Sequence, residues 1–221
     1  MPSPTVENYL KQIYVMAESR PDGQVPMGEL AERMSVVPGT ATSMVKALHR
    51  ENWIRYEPRI GVALTPSGEE EALRVLRKHR ILEMFLVSVL GLDWSEVHEE
   101  AELLEHALTD KLVNRMDDFL GNPEVDPHGD PIPTEAGAIR SRSIRCLTEV
   151  KGGDAVRIAR IVQQDREFLD YLHAQGLVPG ARLEVRESNP VADVVEVATE
   201  NGARHALGGA VASQIRVEVL S

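Results

Sequence analysis

Four prolines within thirteen residues divide this chain of 221 residues into two parts of different character. The prolines lie in residues 122–134, and because proline lacks a backbone N–H this segment predicts an irregular loop. Before the loop, apolar residues recur at the three- and four-residue spacing of helices. After Cys146, valine and isoleucine alternate with polar residues, which is typical of strands. The sequence therefore predicts a helical region followed by a small β domain.

The composition is that of an ordinary globular protein, with 43% hydrophobic and 27% charged residues. The longest apolar stretch, residues 81–92, is interrupted by Glu83 and Ser88 and is too short to span a bilayer. The N-terminus lacks the basic start and the apolar run of a secretion signal. A single cysteine, Cys146, excludes an internal disulfide and fits a reducing compartment. We therefore expect a cytoplasmic protein without a membrane partner.

The first 64 residues have the element order of a winged helix-turn-helix. Helical spacing covers residues 5–18, 28–34 and 38–52, and Pro38 suits the first turn of the third helix. Two short strands are predicted at residues 53–57 and 61–64. Two helices over a tight turn followed by a hairpin indicate a DNA-binding domain, although any three-helix bundle has similar spacing.

The third helix combines an apolar inner face with a polar outer face that suits DNA. Val45 and Leu48 are predicted to face the core, which leaves small hydroxyl residues and two basic residues outside to approach bases and phosphates. The net charge of the chain is −11, but residues 36–60 carry four basic side chains against two acidic ones. A small basic surface on an acidic protein is compatible with DNA binding. The candidate DNA-binding residues are Thr40, Thr42, Ser43, Lys46, Arg50 and Arg59.

Histidine and glutamate recur at helical spacing between positions 79 and 106. Residues three or four apart share a helix face, so that each group can converge on one ion. Carboxylate and imidazole ligands without a thiolate suit borderline divalent metals of the first row. An acidic helix face can also be merely solvated, but residues 76–140 carry fourteen acidic side chains against six basic ones, a surplus that a cation would stabilise. The candidate ligands are His79, Glu83, His98, Glu102, Glu105 and His106.

The remaining pattern extends the helical region and defines the β domain. A long helix is predicted from Pro66 to about residue 90, and further helices at residues 94–108 and 111–120. Asp126 and His128 in the proline-rich loop could bind a metal, but we interpret them as ordinary polar loop residues. The C-terminal part predicts a small barrel of about five strands with one short helix.

The chain resembles the diphtheria toxin repressor family of metal-dependent transcriptional regulators. The resemblance lies in the order of a winged helix-turn-helix, clustered metal ligands and a terminal β domain. The motifs that carry the resemblance are YLKQIY at residues 9–14, RKHRILE at 77–83, Glu105-His106 and GDPIP at 129–133. The resemblance implies a mainly α protein with some β structure, in three domains. These are a winged helix-turn-helix at 1–73, a helical metal-binding and dimerisation domain at 74–140, and an SH3-like, FeoA-like β-barrel at 141–221.

The resemblance also implies two metal sites in each chain. The primary site consists of Glu102, Glu105, His106 and, from the first helix, Asn8. The ancillary site consists of His79, Glu83 and His98, completed from the β domain by Gln164 or Glu167.

Two positions bear on the choice of metal. Iron-responding relatives have cysteine where this chain has Glu102, and a carboxylate suits Mn²⁺ better than a thiolate does. Manganese-responding relatives, however, have acidic residues where this chain has Asn8 and Lys11, and they lack the β-barrel. We therefore expect Mn²⁺ as the first choice and Fe²⁺ as the alternative.

By resemblance, the protein is a non-enzymatic repressor of metal-ion homeostasis that acts as a homodimer on a two-fold-related, double-stranded DNA operator, without a small-molecule substrate. A metal ion that joins the first helix to the ligand helix would set the orientation of the helix-turn-helix and raise DNA affinity. Residues 85–92 and Trp94 are candidates for the dimer interface or for the core. From the residues alone, a helical metal-dependent hydrolase and a metal-buffering protein remain alternatives.

Overall fold

The computed structural model describes residues 2–140 and 142–220, which form two compact units. The first unit comprises Met1–His79, Leu104–Asp110 and Pro133–Ala138. The second comprises Arg80–Leu103, Lys111–Ile132 and Ile139–Ser221. Within the described residues even the longest helix, of 23 residues, is too polar to cross a membrane.

The first unit begins with the predicted order of helices and hairpin, which is confirmed. Ser3 caps the first helix by accepting from the Val6 amide, and Pro4 occupies the first turn, where its missing N–H costs nothing. The hairpin strands pair antiparallel from Ile54 opposite Leu64 to Glu57 opposite Gly61. The elements are α1 (Pro4–Glu18), α2 (Met27–Arg33), α3 (Pro38–Arg50), β1 (Ile54–Glu57), β2 (Gly61–Leu64) and the start of α4 (Pro66–Ser88).

One apolar core joins these elements and fixes the orientation of α1. Leu10 and Ile13 of α1 are fully buried, together with Val45 of α3, at 0% exposure. Because this core holds one face of α1, the turns of the helix gather other side chains on a neighbouring face. That second face carries Glu7, Asn8 and Lys11, at i, i+1 and i+4.

The predicted helix at residues 94–108 is wrong in its bounds. The α-helix α5 spans Val97–Leu104, and the chain then tightens into a 3-10 helix at Glu105–Ala107. The helix starts late because Asp93 accepts hydrogen bonds from the backbone and hydroxyl of Ser95 and so holds the preceding residues in turns. Glu105 and His106 therefore lie on a turn of three residues, not on the α-helical face that their spacing predicts.

The β domain of the second unit is an antiparallel sheet of six strands in the order β3-β8-β4-β5-β6-β7. The sequence predicts about five strands. β4, β5, β6 and β8 lie where valine and isoleucine alternate, whereas β3 and β7 have no such signal. The elements of this part are α6 (Asp110–Phe119), β3 (Arg145–Cys146), β4 (Ala155–Ile161), α7 (Arg166–Ala174), β5 (Arg182–Asn189), β6 (Val194–Thr199), β7 (Arg204–Gly208), α8 (Gly209–Ala212) and β8 (Ile215–Val219).

The second unit has its own apolar core between the sheet and α7. Leu169 and Leu172 of α7 are fully buried against Val185 and Ile215 of the sheet. Trp94 belongs to the same core and is only 8% exposed. Of the two roles considered for Trp94, the structure therefore assigns the intramolecular core, not a dimer surface.

The proline-rich loop is irregular, as predicted, but it is firmly docked on β4. The Ile161 amide donates to the His128 carbonyl at 2.9 Å. Gly129 has φ +88°, and a Cβ at this position would lie 2.0 Å from the Ala159 carbonyl oxygen. Only glycine therefore fits at the point where the loop meets the strand.

We predict that Gly129→Ala destabilises the protein by about 3 kcal/mol or more, because the methyl group adds a backbone clash to an unfavourable φ. Gly121→Ala is the matched control, since Gly121 has φ +78° with nothing within 4 Å of the built Cβ. The control is expected to cost about 1 kcal/mol. Denaturant unfolding of both variants measures the difference, and equal losses would contradict the docking of this loop.

Candidate metal centres and DNA-binding face

His106 lies between two side chains of α1 in the first unit. Its Nδ1 is 2.6 Å from Glu7 Oε2, and its Nε2 is 2.8 Å from Asn8 Oδ1. Because a carboxylate accepts hydrogen bonds, Nδ1–H donates to Glu7 and Nε2 of a neutral ring carries the lone pair. Nε2 and the Asn8 oxygen are then two adjacent acceptors, an arrangement that a proton on Nε2 or a bound metal ion would satisfy.

Glu105 brings a carboxylate to the same place. Its Oε1 is 3.5 Å from His106 Nε2 and 2.6 Å from Lys11 Nζ, and its Oε2 is 2.6 Å from His79 Nδ1. The residue is 0% exposed. Burial alone would raise the pKa of Glu105, but the hydrogen bond and charge of His79, and then those of Lys11, outweigh burial and hold the pKa below its usual range. Glu105 therefore presents a charged carboxylate to His106.

These contacts fit a divalent ion. Three predicted primary ligands, Asn8, Glu105 and His106, place oxygen or nitrogen atoms 2.8 and 3.5 Å apart. Metal bonds of roughly 2.2 Å at right angles separate neighbouring ligand atoms by about 3 Å. The fourth predicted ligand, Glu102, belongs to the second unit, and its role stays a prediction.

Glu7 is a candidate functional residue that was not among the ligands predicted from the sequence. It is 7% exposed, and its second oxygen, Oε1, accepts from Arg74 at 3.0 Å. A carboxylate that accepts from the far nitrogen of a metal-binding histidine fixes the orientation of the ring and raises the basicity of the ligand nitrogen. The only signal in the sequence is that Glu7 lies one turn before Lys11 on the face that carries Asn8.

We predict that Glu7→Gln weakens binding of Mn²⁺ to this centre about tenfold, because the neutral amide no longer polarises His106. Glu18→Gln, an exposed residue at the other end of α1, is the matched control and should leave the affinity unchanged. Isothermal titration with Mn²⁺ measures both, and equal affinities in the two variants would show that Glu7 does not act through His106.

A second cluster lies in the second unit, where Glu83, Asp126 and His128 place ligand atoms within 4.8 Å of one another. All three side chains are buried, at 1%, 3% and 0% exposure. His128 Nε2 is 2.8 Å from the Trp94 carbonyl oxygen, to which it donates, so that Nδ1 of a neutral ring carries the lone pair. Within the described residues Nδ1 has no hydrogen-bond partner, and it faces Glu83 Oε2 at 3.9 Å. Asp126 and His128 are therefore buried rather than solvated as loop residues usually are, and whether they bind a metal stays a prediction.

The loop folds so that its polar groups point inward. Asp126 Oδ1 accepts from the backbone amides of His128 and Asp130, both at 2.9 Å. Burial, followed by the charges of Asp130 and Glu83, raises the pKa of Asp126 well above its usual range, although Arg80 opposes the shift. Excess negative charge and an unpaired imidazole nitrogen are the conditions that a bound cation relieves.

The predicted ancillary residues are only partly brought together within this unit. Glu83 Oε1 is 3.1 Å from His98 Nδ1, whereas His79 belongs to the first unit. From the β domain, the Gln164 amide donates to Asp130 Oδ2 at 2.5 Å. Glu167 lies exposed on the first turn of α7. The roles of His79, Gln164 and Glu167 as ancillary ligands stay predictions.

We predict that Asp126→Asn raises the melting temperature of the metal-free protein by roughly 2–4 °C at neutral pH, equivalent to about 1 kcal/mol. Asparagine keeps the oxygen that accepts the two amides, and it neither carries a charge nor has to bind a proton on folding. Because the folded-state pKa is raised, the folded protein holds a proton that the unfolded chain releases, so wild-type stability falls as pH rises above about 4.

Thermal unfolding in EDTA at several pH values measures this effect. The difference in melting temperature between the variant and the wild type should be absent near pH 4 and should increase as the pH rises. A wild-type protein as stable as the variant at every pH would contradict the raised pKa of Asp126.

The helix α3 has a buried face and an exposed face, as predicted. Ala41, Val45 and Leu48 are buried. The hydroxyls of Thr42 and Ser43 donate to the carbonyls of Pro38 and Gly39 four residues earlier, which leaves their oxygens able to accept. The remaining candidates are exposed: Thr40, Lys46, Arg50 and Arg59.

Comparison with known proteins gives matches along nearly the whole chain. Three family models match: the N-terminal DNA-binding domain of iron-dependent repressors at residues 1–62, their metal-binding and dimerisation domain at 65–134, and the FeoA domain at 145–219. The iron-dependent repressor IdeR of Mycobacterium leprae is 34% identical over 205 residues, which cover 86% of this chain and 87% of the relative. The diphtheria toxin repressor of Corynebacterium efficiens is 30% identical over 227 residues, which cover 97% and 95%.

A solved structure of similar fold is described as a manganese-dependent transcriptional repressor in complex with manganese. It superposes with a TM-score of 0.89 at 39% identity and covers 97% of this chain and 100% of the other. Together, the matches and the fold define a metal-dependent repressor with a DNA-binding domain, a helical metal-binding and dimerisation domain and an SH3-like FeoA domain. The chain belongs to the diphtheria toxin repressor family. Members of this family are transcriptional repressors and not enzymes, which excludes the hydrolase.

Proposed function

We propose that this protein represses genes of metal-ion homeostasis in response to Mn²⁺, with Fe²⁺ as the alternative. The observation that carries the proposal is the contact between Asn8 Oδ1 and His106 Nε2, at 2.8 Å. Asn8 lies on α1, whose buried residues belong to the same core as those of α3. A ligand set that includes Asn8 therefore couples the metal centre to the helix that is proposed to read DNA.

Asn8, Glu105 and His106 would hold the primary ion, and the ion would supply the positive charge that offsets Glu105 and completes the coordination of His106 Nε2. Glu102 is taken as a further ligand on the family resemblance alone. With Asn8 held, α1 is restrained and α3 is restrained through the shared core. The protein then has a conformation that binds DNA and one that does not. The metal ion can raise DNA affinity by no more than the ratio of its own affinities for these two conformations.

A second ion in each chain is proposed at Glu83. Its two carboxylate oxygens face two imidazoles, since Oε1 lies 3.1 Å from His98 Nδ1 and Oε2 lies 3.9 Å from His128 Nδ1. Asp126 adds a third buried donor. His79, Gln164 and Glu167 are proposed at this ancillary site on the resemblance alone.

The choice of Mn²⁺ is supported by the donor atoms. The proposed primary set offers carboxylate, amide and imidazole groups and no thiolate, and oxygen-rich sets suit Mn²⁺ better than sulfur does. The similarity at 39% identity to a repressor described as manganese-dependent points the same way. The relatives described as iron-dependent are the reason that Fe²⁺ is kept as the alternative.

A homodimer in the cytoplasm that binds a two-fold-related operator is part of the proposal. The second unit exposes large apolar side chains that a partner subunit would cover. Such a dimer would present two α3 helices to two half-sites of duplex DNA. Among the described residues of this unit that precede the β domain, the exposed large apolar ones are Val89, Leu90, Leu103, Leu112 and Phe119.

The DNA probe is a duplex that the metal-loaded protein selects from a random library. The proposal predicts that Mn²⁺ or Fe²⁺ raises affinity for this duplex about tenfold or more, which corresponds to a coupling free energy of about 1.4 kcal/mol. Mobility shifts titrated in parallel with Mn²⁺, anaerobic Fe²⁺, Co²⁺ and Zn²⁺ rank the metals. His106→Ala should abolish the increase while keeping the fold, whereas Glu99→Ala, an exposed carboxylate of α5, should keep it. Equal DNA affinity in EDTA and in excess metal would remove the switch, and metal uptake without DNA binding would favour the metal-buffering alternative.

The proposal also predicts that Lys46→Ala with Arg50→Ala weakens binding to all duplexes and flattens its salt dependence. Each lost phosphate contact should lower the slope of log K against log salt by about 1. Lys151→Ala, an exposed lysine of the β domain, is the matched control. Unchanged slopes in the double variant would show that α3 does not contact the DNA backbone.

A further inference from the structure

A buried lysine lies at the proposed primary centre. Lys11 of α1 is 2% exposed, and its Nζ is 2.6 Å from Glu105 Oε1. A buried carboxylate is costly unless a cation or donors meet it. Lys11 therefore supplies a positive charge to Glu105 from within the chain, on the helix that also carries Asn8.

The position of this ammonium group opposes a second cation. Oε1, the oxygen that faces Lys11, is also the one that lies 3.5 Å from His106 Nε2. The other oxygen, Oε2, is 2.6 Å from His79 Nδ1. An ion held by Glu105 and His106 would consequently share an oxygen with Lys11, in a place from which water is excluded and charges interact strongly.

We propose that Lys11 is a built-in cation that competes with the metal ion for Glu105 and so sets the metal concentration at which the primary site fills. The inference rests on the proposed function and adds a residue that determines affinity without being a ligand. Since Lys11 follows Asn8 by three residues on the same helix, α1 cannot bring the amide oxygen to the centre without also bringing the ammonium group.

A purely structural role for Lys11 gives the opposite expectation. If Lys11 only anchored α1 to Glu105, its removal would disorder the ligands, and metal binding would weaken together with stability. If Lys11 competes with the ion, its removal lowers the stability of the metal-free protein but tightens metal binding. The two roles therefore differ in the sign of the change in metal affinity.

The test compares Lys11→Gln, Lys11→Met and the charge-preserving control Lys11→Arg in the full-length protein. Competition between the protein and a fluorescent chelator for Mn²⁺ gives the dissociation constants. The binding sites that are lost in His106→Ala are taken as the primary class of sites. Both neutral variants should bind Mn²⁺ about tenfold more tightly than wild type at that class. Lys11→Arg should stay within about threefold of wild type. Melting in EDTA should show that the neutral variants fold and are less stable than wild type.

The outcomes separate the inference from the function on which it rests. Unchanged or weaker Mn²⁺ binding in both neutral variants would overturn the competition. Tighter binding in Lys11→Gln alone would also overturn it, because the new amide would then be acting as a ligand. If His106→Ala binds as many ions as wild type, the ligand set of the proposed function is wrong, and the inference falls with it.

Discussion

The buried charge of Glu105 is the constraint on which the first unit depends. The carboxylate is 0% exposed and yet remains ionised, because His79 and Lys11 meet its two oxygens. Beside it, His106 is oriented by Glu7, and Glu7 by Arg74. The ion pair between Lys11 and Glu105 and the hydrogen bond from His106 to Glu7 attach the 3-10 helix to α1. The arrangement that is proposed to bind a cation therefore also holds the first helix of the DNA-binding domain.

The second unit also buries carboxyl groups close to one another, in its proline-rich loop. Asp126 is buried close to Asp130 and Glu83, and Arg80 lies 3.7 Å from its Oδ2. Gly129 allows the loop to approach β4 closely, which brings His128 beneath Trp94. The close backbone approach at Gly129 thus also carries the side chains of Asp126 and His128 inward, where they are buried.

Much of the fold follows from the sequence, and much of the site does not. Periodicity predicted the helix-turn-helix, the strand Gly61–Leu64 and the strand Ile215–Val219, because local spacing controls which face of an element is buried. The tight turn at Glu105 and the burial of Asp126 and His128 depend on contacts between residues far apart in the chain. Glu7 shows the same limit, since it lies 99 residues from His106, and no local pattern marks such a partner.

The central claim is that Asn8, Glu105 and His106 together hold the activating ion. A crystal structure of the protein loaded with Mn²⁺, with anomalous data collected on both sides of the manganese absorption edge, tests this claim directly. We predict an anomalous peak at roughly 2.2 Å from His106 Nε2, with Asn8 and Glu105 oxygens at similar distances. Manganese peaks found only elsewhere, with Asn8 and His106 in direct contact without an ion, would contradict it.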